Sequence, residues 1–293
     1  MSRAANRSTI FLEEAPIISH RAYPGEQYVL RVRAPRCAGR ADPGSFAHLT
    51  CDPLLPMRRP LSIMRADRGE GWLEFLYKPI GEGLARLATR QPGETLSLLG
   101  PIGRGFAPME GRPVVLALAG GVGIPPVFFL AERMHARADR SLVVLMGSEV
   151  PFPFELGRPG RELTGMPAEA SLAVAQLEHW GVPSRLASNA GMQGCYRGHV
   201  AALARHWLES LSEDARTRVQ VVGCGPHAML EATARLAQEF ELPCQIAVEE
   251  FMACGVGGCA GCIVPLHTPG GLMMKRVCVD GPVFDGRELF PPR

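Results

Sequence analysis

Four cysteines near the C-terminal end constrain this chain more than any other feature. Cys254, Cys259 and Cys262 are spaced Cys-x4-Cys-x2-Cys, and Cys278 follows after fifteen intervening residues. This is the ligand spacing of a plant-type [2Fe–2S] centre, in which three thiolates converge from a short loop and the fourth arrives from a distant strand. The loop, Cys-Gly-Val-Gly-Gly-Cys-Ala-Gly-Cys, is rich in glycine, so backbone N–H groups can approach the sulfurs of an anionic cluster. The competing assignment is a structural zinc site. Zinc favours two well-separated Cys-x2-Cys knuckles, and only one such pair is present.

The other five cysteines, Cys37, Cys51, Cys195, Cys224 and Cys244, are scattered. An odd total of nine, with no export signal in evidence, argues against a disulfide framework and for a reducing compartment. The first ten residues carry Arg3 and Arg7 but no apolar stretch or cleavage site behind them, so a signal peptide is not expected. Val114 to Ala131 is uncharged and long, but Gly120, Gly121, Gly123 and Pro125-Pro126 interrupt it. It reads as strand, glycine turn and helix start rather than as a membrane span. A cytoplasmic protein without a membrane partner is expected. The balance of 31 basic against 29 acidic residues gives no electrostatic reason to expect nucleic acid, and 6% aromatics is poor for base stacking.

The 293 residues suit two domains and an appendage. Residues 8–108 read as a small antiparallel barrel. Gln27 to Arg33, Gly71 to Tyr77 and Glu94 to Leu99 alternate as strands, and Gly100-Pro101 is expected to close the last. Residues 109–246 alternate short apolar strands (Val114 to Ala119, Ser141 to Met146, Val182 to Ala187, Arg218 to Val222) with helices. The helices are placed at Pro126 to Arg137, Ser171 to Trp180, His199 to Ser210 and Ala228 to Glu239. This is the pattern of a doubly wound parallel α/β sheet. Residues 247–293 form a small cluster-binding module.

Several shorter motifs carry chemistry. Arg59-Pro60-Leu61-Ser62 offers a planar guanidinium for a phosphate and a hydroxyl for a flavin ring. Tyr77-Lys78 and then Gly81-Glu82-Gly83-Leu84 follow, the last a glycine turn opening a helical run over Ala85 to Arg90. Gly120-Gly121-Val122-Gly123 comes between the first parallel strand and a helix, where a dinucleotide pyrophosphate would sit, although it is not Gly-x-Gly-x-x-Gly. Cys224-Gly225-Pro226 follows the last of these strands at its carboxyl end, where Cys224 could lie against a nicotinamide or be an inert core thiol.

In this order the motifs resemble the ferredoxin–NADP reductase superfamily. Within it, the chain is similar nearly end to end to the electron-transfer subunits of NAD-linked, two-component dihydroorotate dehydrogenases. The resemblance implies that Arg59, Pro60, Leu61 and Ser62, with Tyr77, Lys78, Gly81, Gly83 and Leu84, hold FAD. It implies that Gly120, Gly121, Gly123, Gly225 and Pro226 hold NAD beside a catalytic Cys224, and that Cys254, Cys259, Cys262 and Cys278 hold the cluster. The turn Gly100 to Phe106 and the stretch Glu249-Glu250-x-Met252 through Cys278-Val-Asp280-Gly281-Pro282-Val283-Phe284 also fit this branch. Three positions depart from it. Leu84 replaces a threonine, Ser188-Asn189-Ala190-Gly191 replaces an acidic stretch, and Ala247-Val248 replaces Ser-Leu.

The implied activity is an oxidoreductase relay between NAD(H), FAD and a [2Fe–2S] cluster. The implied partner is a flavoprotein catalytic subunit oxidising dihydroorotate in pyrimidine biosynthesis, in a hetero-oligomer, with electrons running towards NAD. Two other readings stand beside it: a reductase subunit serving a ferredoxin or a hydrogenase, and a docking subunit without catalysis. Glu149, after the second parallel strand, could accept a hydrogen bond from an adenosine ribose and would repel a 2′-phosphate. None of the eight histidines stands at metal-ligand spacing, and His227 reads as a surface residue.

Overall fold

The computed structural model describes residues 9–292. The expectation about the first ten residues, with Arg3 and Arg7, falls almost wholly outside them, as does residue 8, the proposed start of the barrel.

Six strands close an antiparallel barrel: β1 (Phe11–Tyr23), β2 (Gln27–Arg33), β3 (Phe46–Thr50), β4 (Arg59–Asp67), β5 (Trp72–Tyr77) and β6 (Thr95–Ile102). They follow the Greek-key order β1-β2-β5-β4-β3-β6. Short helices α1 (Pro35–Arg40) and α2 (Gly81–Leu87) fill two of the connections. Inward residues such as Leu30, Val32, Leu49, Ile63, Phe75 and Leu98 make the barrel core. β6 runs through Gly100-Pro101 to Ile102 instead of stopping there, because Phe46 and Phe11 on the neighbouring strands pair with its last residues.

The α/β unit is built on β7 (Val114–Gly120), α3 (Ile124–Met134), β8 (Ser141–Gly147), the two-residue strands β9 (Leu156–Gly157) and β10 (Ala173–Val174), α4 (Ala175–His179) and β11 (Ser184–Ala187). It continues through α5 (Val200–Ser210), α6 (Glu213–Thr217), β12 (Val219–Cys224), α7 (His227–Glu239) and β13 (Cys244–Ala247). β7, β8, β11, β12 and β13 are parallel. The uncharged stretch from Val114 divides as read, into β7, a 3-10 turn over Gly121–Gly123, and α3. Among the described residues no helix is long and apolar enough to cross a membrane. The expected helix over Ser171 to Trp180 shrinks to α4, since Ala173 and Val174 pair with β9.

After β13 come the cluster loop, a hairpin of β14 (Ile263–Thr268) and β15 (Gly271–Arg276), then β16 (Val283–Asp285) and α8 (Gly286–Leu289). The segment after the expected boundary at residue 247 also contributes a strand to the α/β sheet. β16 returns antiparallel to β13 and completes the sheet in the order β11-β8-β7-β12-β13-β16. The segment is also fastened to the barrel: Phe46 and Ile102 share a core with Cys262, Val264, Val277, Cys278 and Phe284. The barrel joins the α/β unit through Met64 and Leu76 packed with α3, and through an ion pair from Arg65 Nε to Glu132 Oε1 at 2.7 Å.

Candidate functional site

Three groups of candidate residues meet around the junction of these units. The first lies on β4. Alternation sends Leu61 and Ile63 into the barrel, and the antiparallel register sets Ser62 opposite Phe46 and Pro60 opposite His48 on β3. Arg59 begins the strand. Its Nη1 donates to the carbonyls of Met57 and Arg58, at 2.9 and 3.3 Å, and among the described residues no carboxylate pairs with it. Gly83 of α2 sits directly on this guanidinium: a Cβ there would stand 2.7 Å from Arg59 Nε. Arg59 and Gly83, 24 positions apart in the chain, therefore adjoin, and Gly83 is required by the close approach. No side chain caps α2. Leu84 is half-buried against the barrel core, so the side chain at this position is turned inward and offers no hydroxyl. Tyr77 is also committed to that core. Its hydroxyl is hydrogen-bonded with His20 Nε2 at 2.8 Å and its ring stacks on Tyr28, which leaves its backbone for any ligand. Lys78, the next residue, is half-buried.

The second group lies where β7 and β12 run side by side, Ala119 opposite Cys224. The strands after β7 proceed outward through β8 and β11, and the chain then returns to the other side of β7 at β12. The gap between their carboxyl ends is thus the topological switch point, where open α/β sheets bind ligands. The two turns there interlock. A Cβ on Gly123 would stand 2.4 Å from the Gly225 amide nitrogen, and one on Gly120 would stand 2.4 Å from Met229 Sδ. Pro226 precedes α7 as its N-cap. Gly121 has φ +53 with open space beside it. Cys224 is 2% exposed; burial raises its thiol well above the usual range, and nearby Glu249 adds to the effect. A neutral, polarisable sulfur suits contact with a flat ring rather than nucleophilic attack. At the ends of β8 and β11, Glu149 Oε1 accepts from the backbone N–H and side-chain amide of Asn189, both at 3.3 Å. Asn189 thereby orients the carboxylate. His227 is exposed, edge-on to Phe290.

The third group is the cysteine loop. Its four thiols stand as two pairs. Cys262 Sγ lies 3.3 Å from Cys278 Sγ, and the Cys259 amide donates to Cys254 Sγ at 3.5 Å. Among the described residues, no three His, Cys, Asp or Glu close on a single metal position. A [2Fe–2S] centre takes two thiolates on each of two irons, a requirement that the four thiols of this loop and hairpin supply in number. Burial raises the Cys254 thiol, but hydrogen bonds from the backbone at Cys259, Val256 and Gly258 outweigh it and hold it down at about 7. Amides already aimed at sulfur are the environment an anionic cluster needs. Gly257 has φ +82, its Cβ position blocked by Val279 at 2.5 Å, and its carbonyl accepts from Arg276 Nη1 at 3.1 Å. Arg276 in turn is held by Asp280, whose Oδ2 accepts its backbone N–H at 2.9 Å. The residues present fit a [2Fe–2S] group.

Residues 249–290 match the family model described as the iron-sulfur cluster binding domain of dihydroorotate dehydrogenase B. Over 267 residues the chain is 32% identical to the dihydroorotate dehydrogenase B (NAD(+)) electron transfer subunit of Desulforamulus reducens, covering 89% of this chain and 92% of that one. The chain belongs to this family of electron-transfer subunits. The Bacillus caldolyticus member is also 32% identical, over 286 residues covering 94% of this chain and 98% of its own. Among solved structures, an NADH-dependent reduced ferredoxin–NADP oxidoreductase chain superposes with a TM-score of 0.72 at 20% identity, covering 94% of this chain and 90% of that one. Phthalate dioxygenase reductase does so with 0.55 at 12% identity, over 90% and 76%. These two likenesses bear on the fold, and the barrel followed by a parallel sheet agrees with them.

His48 is a buried residue of this junction to which the sequence assigns no role. Nothing in its sequence neighbourhood marks it, because its importance comes from the strand register and the loop folded over it.

Proposed function

We propose that this chain is the electron-transfer subunit of an NAD-dependent dihydroorotate dehydrogenase, a cytoplasmic oxidoreductase component that works in complex with a flavoprotein catalytic subunit. In this reading residues 8–108 bind FAD, residues 109–246 bind NAD, and residues 247–293 carry the cluster. The observation that carries the reading is adjacency. Met64, two residues beyond Ser62, shares one packed core with Ala119 and Cys224, while Phe46, opposite Ser62, shares another with Cys262 and Cys278.

Arg59 binds the flavin phosphate and Ser62 the ring, with Pro60 and Leu61 fixing the strand between them; Lys78, the Tyr77 backbone and the turn of Gly81, Gly83 and Leu84 complete the site. Gly120, Gly121, Gly123, Gly225 and Pro226 let the nucleotide backbone come close, and Cys224 packs against the nicotinamide. Glu149 favours NAD over its 2′-phosphorylated form. When bound, FAD exchanges a hydride with NAD and the cluster carries electrons singly to or from the partner. Exposed Phe251, Val256, Leu272 and Met274 around the cluster loop offer the partner an apolar face.

The test is co-purification followed by substrate reduction. The chain and its bound partner, given dihydroorotate anaerobically, should bleach both flavin and cluster, and added NAD should restore their colour. A complex that responds to NADH but not to dihydroorotate would assign the chain to another dehydrogenase.

A further inference from the structure

His48 stands between the strand proposed to hold the flavin and the loop proposed to hold the cluster. On β3, Ala47 and Leu49 enter the barrel core, so Phe46 and His48 face outward, towards the C-terminal segment. Across the ladder His48 is opposite Pro60. From the other side the cysteine loop closes on the ring. A Cβ on Gly255, the residue after Cys254, would stand 2.9 Å from His48 Cε1 and 3.0 Å from Nδ1. The residue is wholly buried. Among the described residues neither ring nitrogen has a hydrogen-bond partner.

An unsatisfied polar group in such a place is costly, and buried imidazoles are ordinarily paired. Burial, reinforced by the Arg58 guanidinium, holds the ring's pKa down at about 4, so it is neutral near pH 7 and has one N–H to give. Arg58 cannot accept that proton: its Nη1 and Nη2 donate to the backbone and hydroxyl of Ser97. Phe46, whose ring centroid is 6.0 Å away, offers no lone pair. Among the described residues no protein group takes the proton, and the element that closes directly on Nδ1 is the cysteine loop.

We propose that His48 is a positioning residue for the cluster, donating Nδ1–H to a sulfur at its Cys254 end and thereby raising its reduction potential. The proposal rests on the [2Fe–2S] reading of the four cysteines. An N–H donor stabilises the extra negative charge of the reduced state more than the oxidised one, and hydrogen bonds to sulfur are among the features that set such potentials. The barrel strand paired with the one that carries the flavin motif would then also tune the next carrier.

The experiment compares wild type with His48→Leu and His48→Asn, each in the whole chain bound to its partner. Cluster and flavin midpoints are followed by electron paramagnetic resonance and absorbance in one dye-mediated titration, with iron, labile sulfide and FAD assayed on the same samples. His48→Leu should shift the cluster's one-electron equilibrium about tenfold towards the oxidised form, or about 59 mV lower, at unchanged iron, sulfide and FAD content. His48→Asn, whose amide N–H replaces Nδ1–H, should stay near the wild-type midpoint. The reduced wild-type cluster should also show coupling to an exchangeable proton that the leucine variant lacks. If the leucine variant fails to fold, His48→Gln carries the test, because its N–H lies one bond further out and should give the same downward shift. A fully loaded leucine or glutamine variant with an unmoved cluster midpoint overturns the proposal, as does a flavin midpoint that moves while the cluster's does not. Wild-type protein with zinc and no labile sulfide would instead overturn the cluster reading itself.

Discussion

Cys262 Sγ and Cys278 Sγ stand 3.3 Å apart although the residues are sixteen positions apart in the chain. The β14–β15 hairpin between them accounts for this: Ile263 pairs with Arg276, so the two ends of the hairpin deliver neighbouring cysteines to one place. Anaerobically purified protein should accordingly hold about two irons and two labile sulfides per chain. Cys259→Ser should remove them while FAD remains bound. Iron retained at full content in that variant would remove Cys259 from the ligand set.

Arg59 should decide flavin affinity. Arg59→Ala deletes a charge-assisted contact to phosphate, and FAD binding should weaken by about 1.5–3 kcal/mol. Gly83→Ala should weaken it too, because the new Cβ lies 2.7 Å from the guanidinium and must displace it. Calorimetric titration of the apoprotein with FAD measures both. Unchanged affinity in Arg59→Ala would reduce Arg59 to a surface arginine.

Gly123→Ala sets a methyl group 2.4 Å from the Gly225 nitrogen and 2.5 Å from the Cys224 carbonyl carbon. Backbone on both sides cannot yield as a flexible side chain would, so the two turns must separate, at about 1–3 kcal/mol of stability. NADH-dependent flavin reduction should fall steeply, with FAD and iron content preserved. Normal NADH kinetics would show that the nucleotide does not use this crevice.

Cys224→Ala should slow hydride transfer more than it weakens nucleotide binding, lowering kcat with less change in KM. Flavin bleaching and cluster reduction can be separated by stopped-flow absorbance. The first should slow, while electrons from chemically reduced flavin still reach the cluster. Conversely, Cys259→Ser should leave NADH-to-flavin reduction intact and end delivery to the partner. Equal slowing of one step by both changes would make Cys224 a structural core thiol.

His48 also makes stability depend on pH. Its pKa is lowered from 6.5 to about 4 in the fold, so below pH 6.5 the unfolded chain takes up a proton that the folded chain refuses. Its contribution to stability is whole above about pH 6.5 and declines as pH falls towards 4. The loss should reach about 1.4 kcal/mol at pH 5.5. Urea unfolding at pH 7.5 and 5.5, wild type against His48→Asn, isolates it. Parallel pH dependence in the two proteins would show that the ring titrates normally.

The elements legible in the sequence are those whose burial is regular. β2 coincides with its alternating run, and β7 and β8 follow continuous apolar segments, because strands covered on both faces need side chains of one kind. β1 gives no such signal. Glu13, Glu14 and Pro16 interrupt it, and a bulge between Ile17 and Ser19 breaks its period; Glu13 is in the strand to accept the amides of Arg36 and Cys37. β15 exposes Leu272, Met273 and Met274, so its residues alternate with no core. The cysteine loop now matched by the cluster-binding family model was legible because its spacing is local chemistry. The contact of Gly83 with Arg59 and of Gly255 with His48 was not, since each is made by a register and a loop far apart in sequence.

Because β16 pairs with β13, the sheet that carries the Cys224 turn is finished by residues 283–285, which follow all four clustered cysteines in the chain. During synthesis β13 remains an open edge until the cysteine loop, the hairpin and Cys278 have all been made. A nascent or truncated chain ending before Val283 therefore presents an unpaired strand, the usual starting point for chain-to-chain association. Arrival of β16 covers that edge, and the cysteine segment made just before it packs on the barrel through Phe46 and Ile102, so the sheet and the cysteine segment reach their places together.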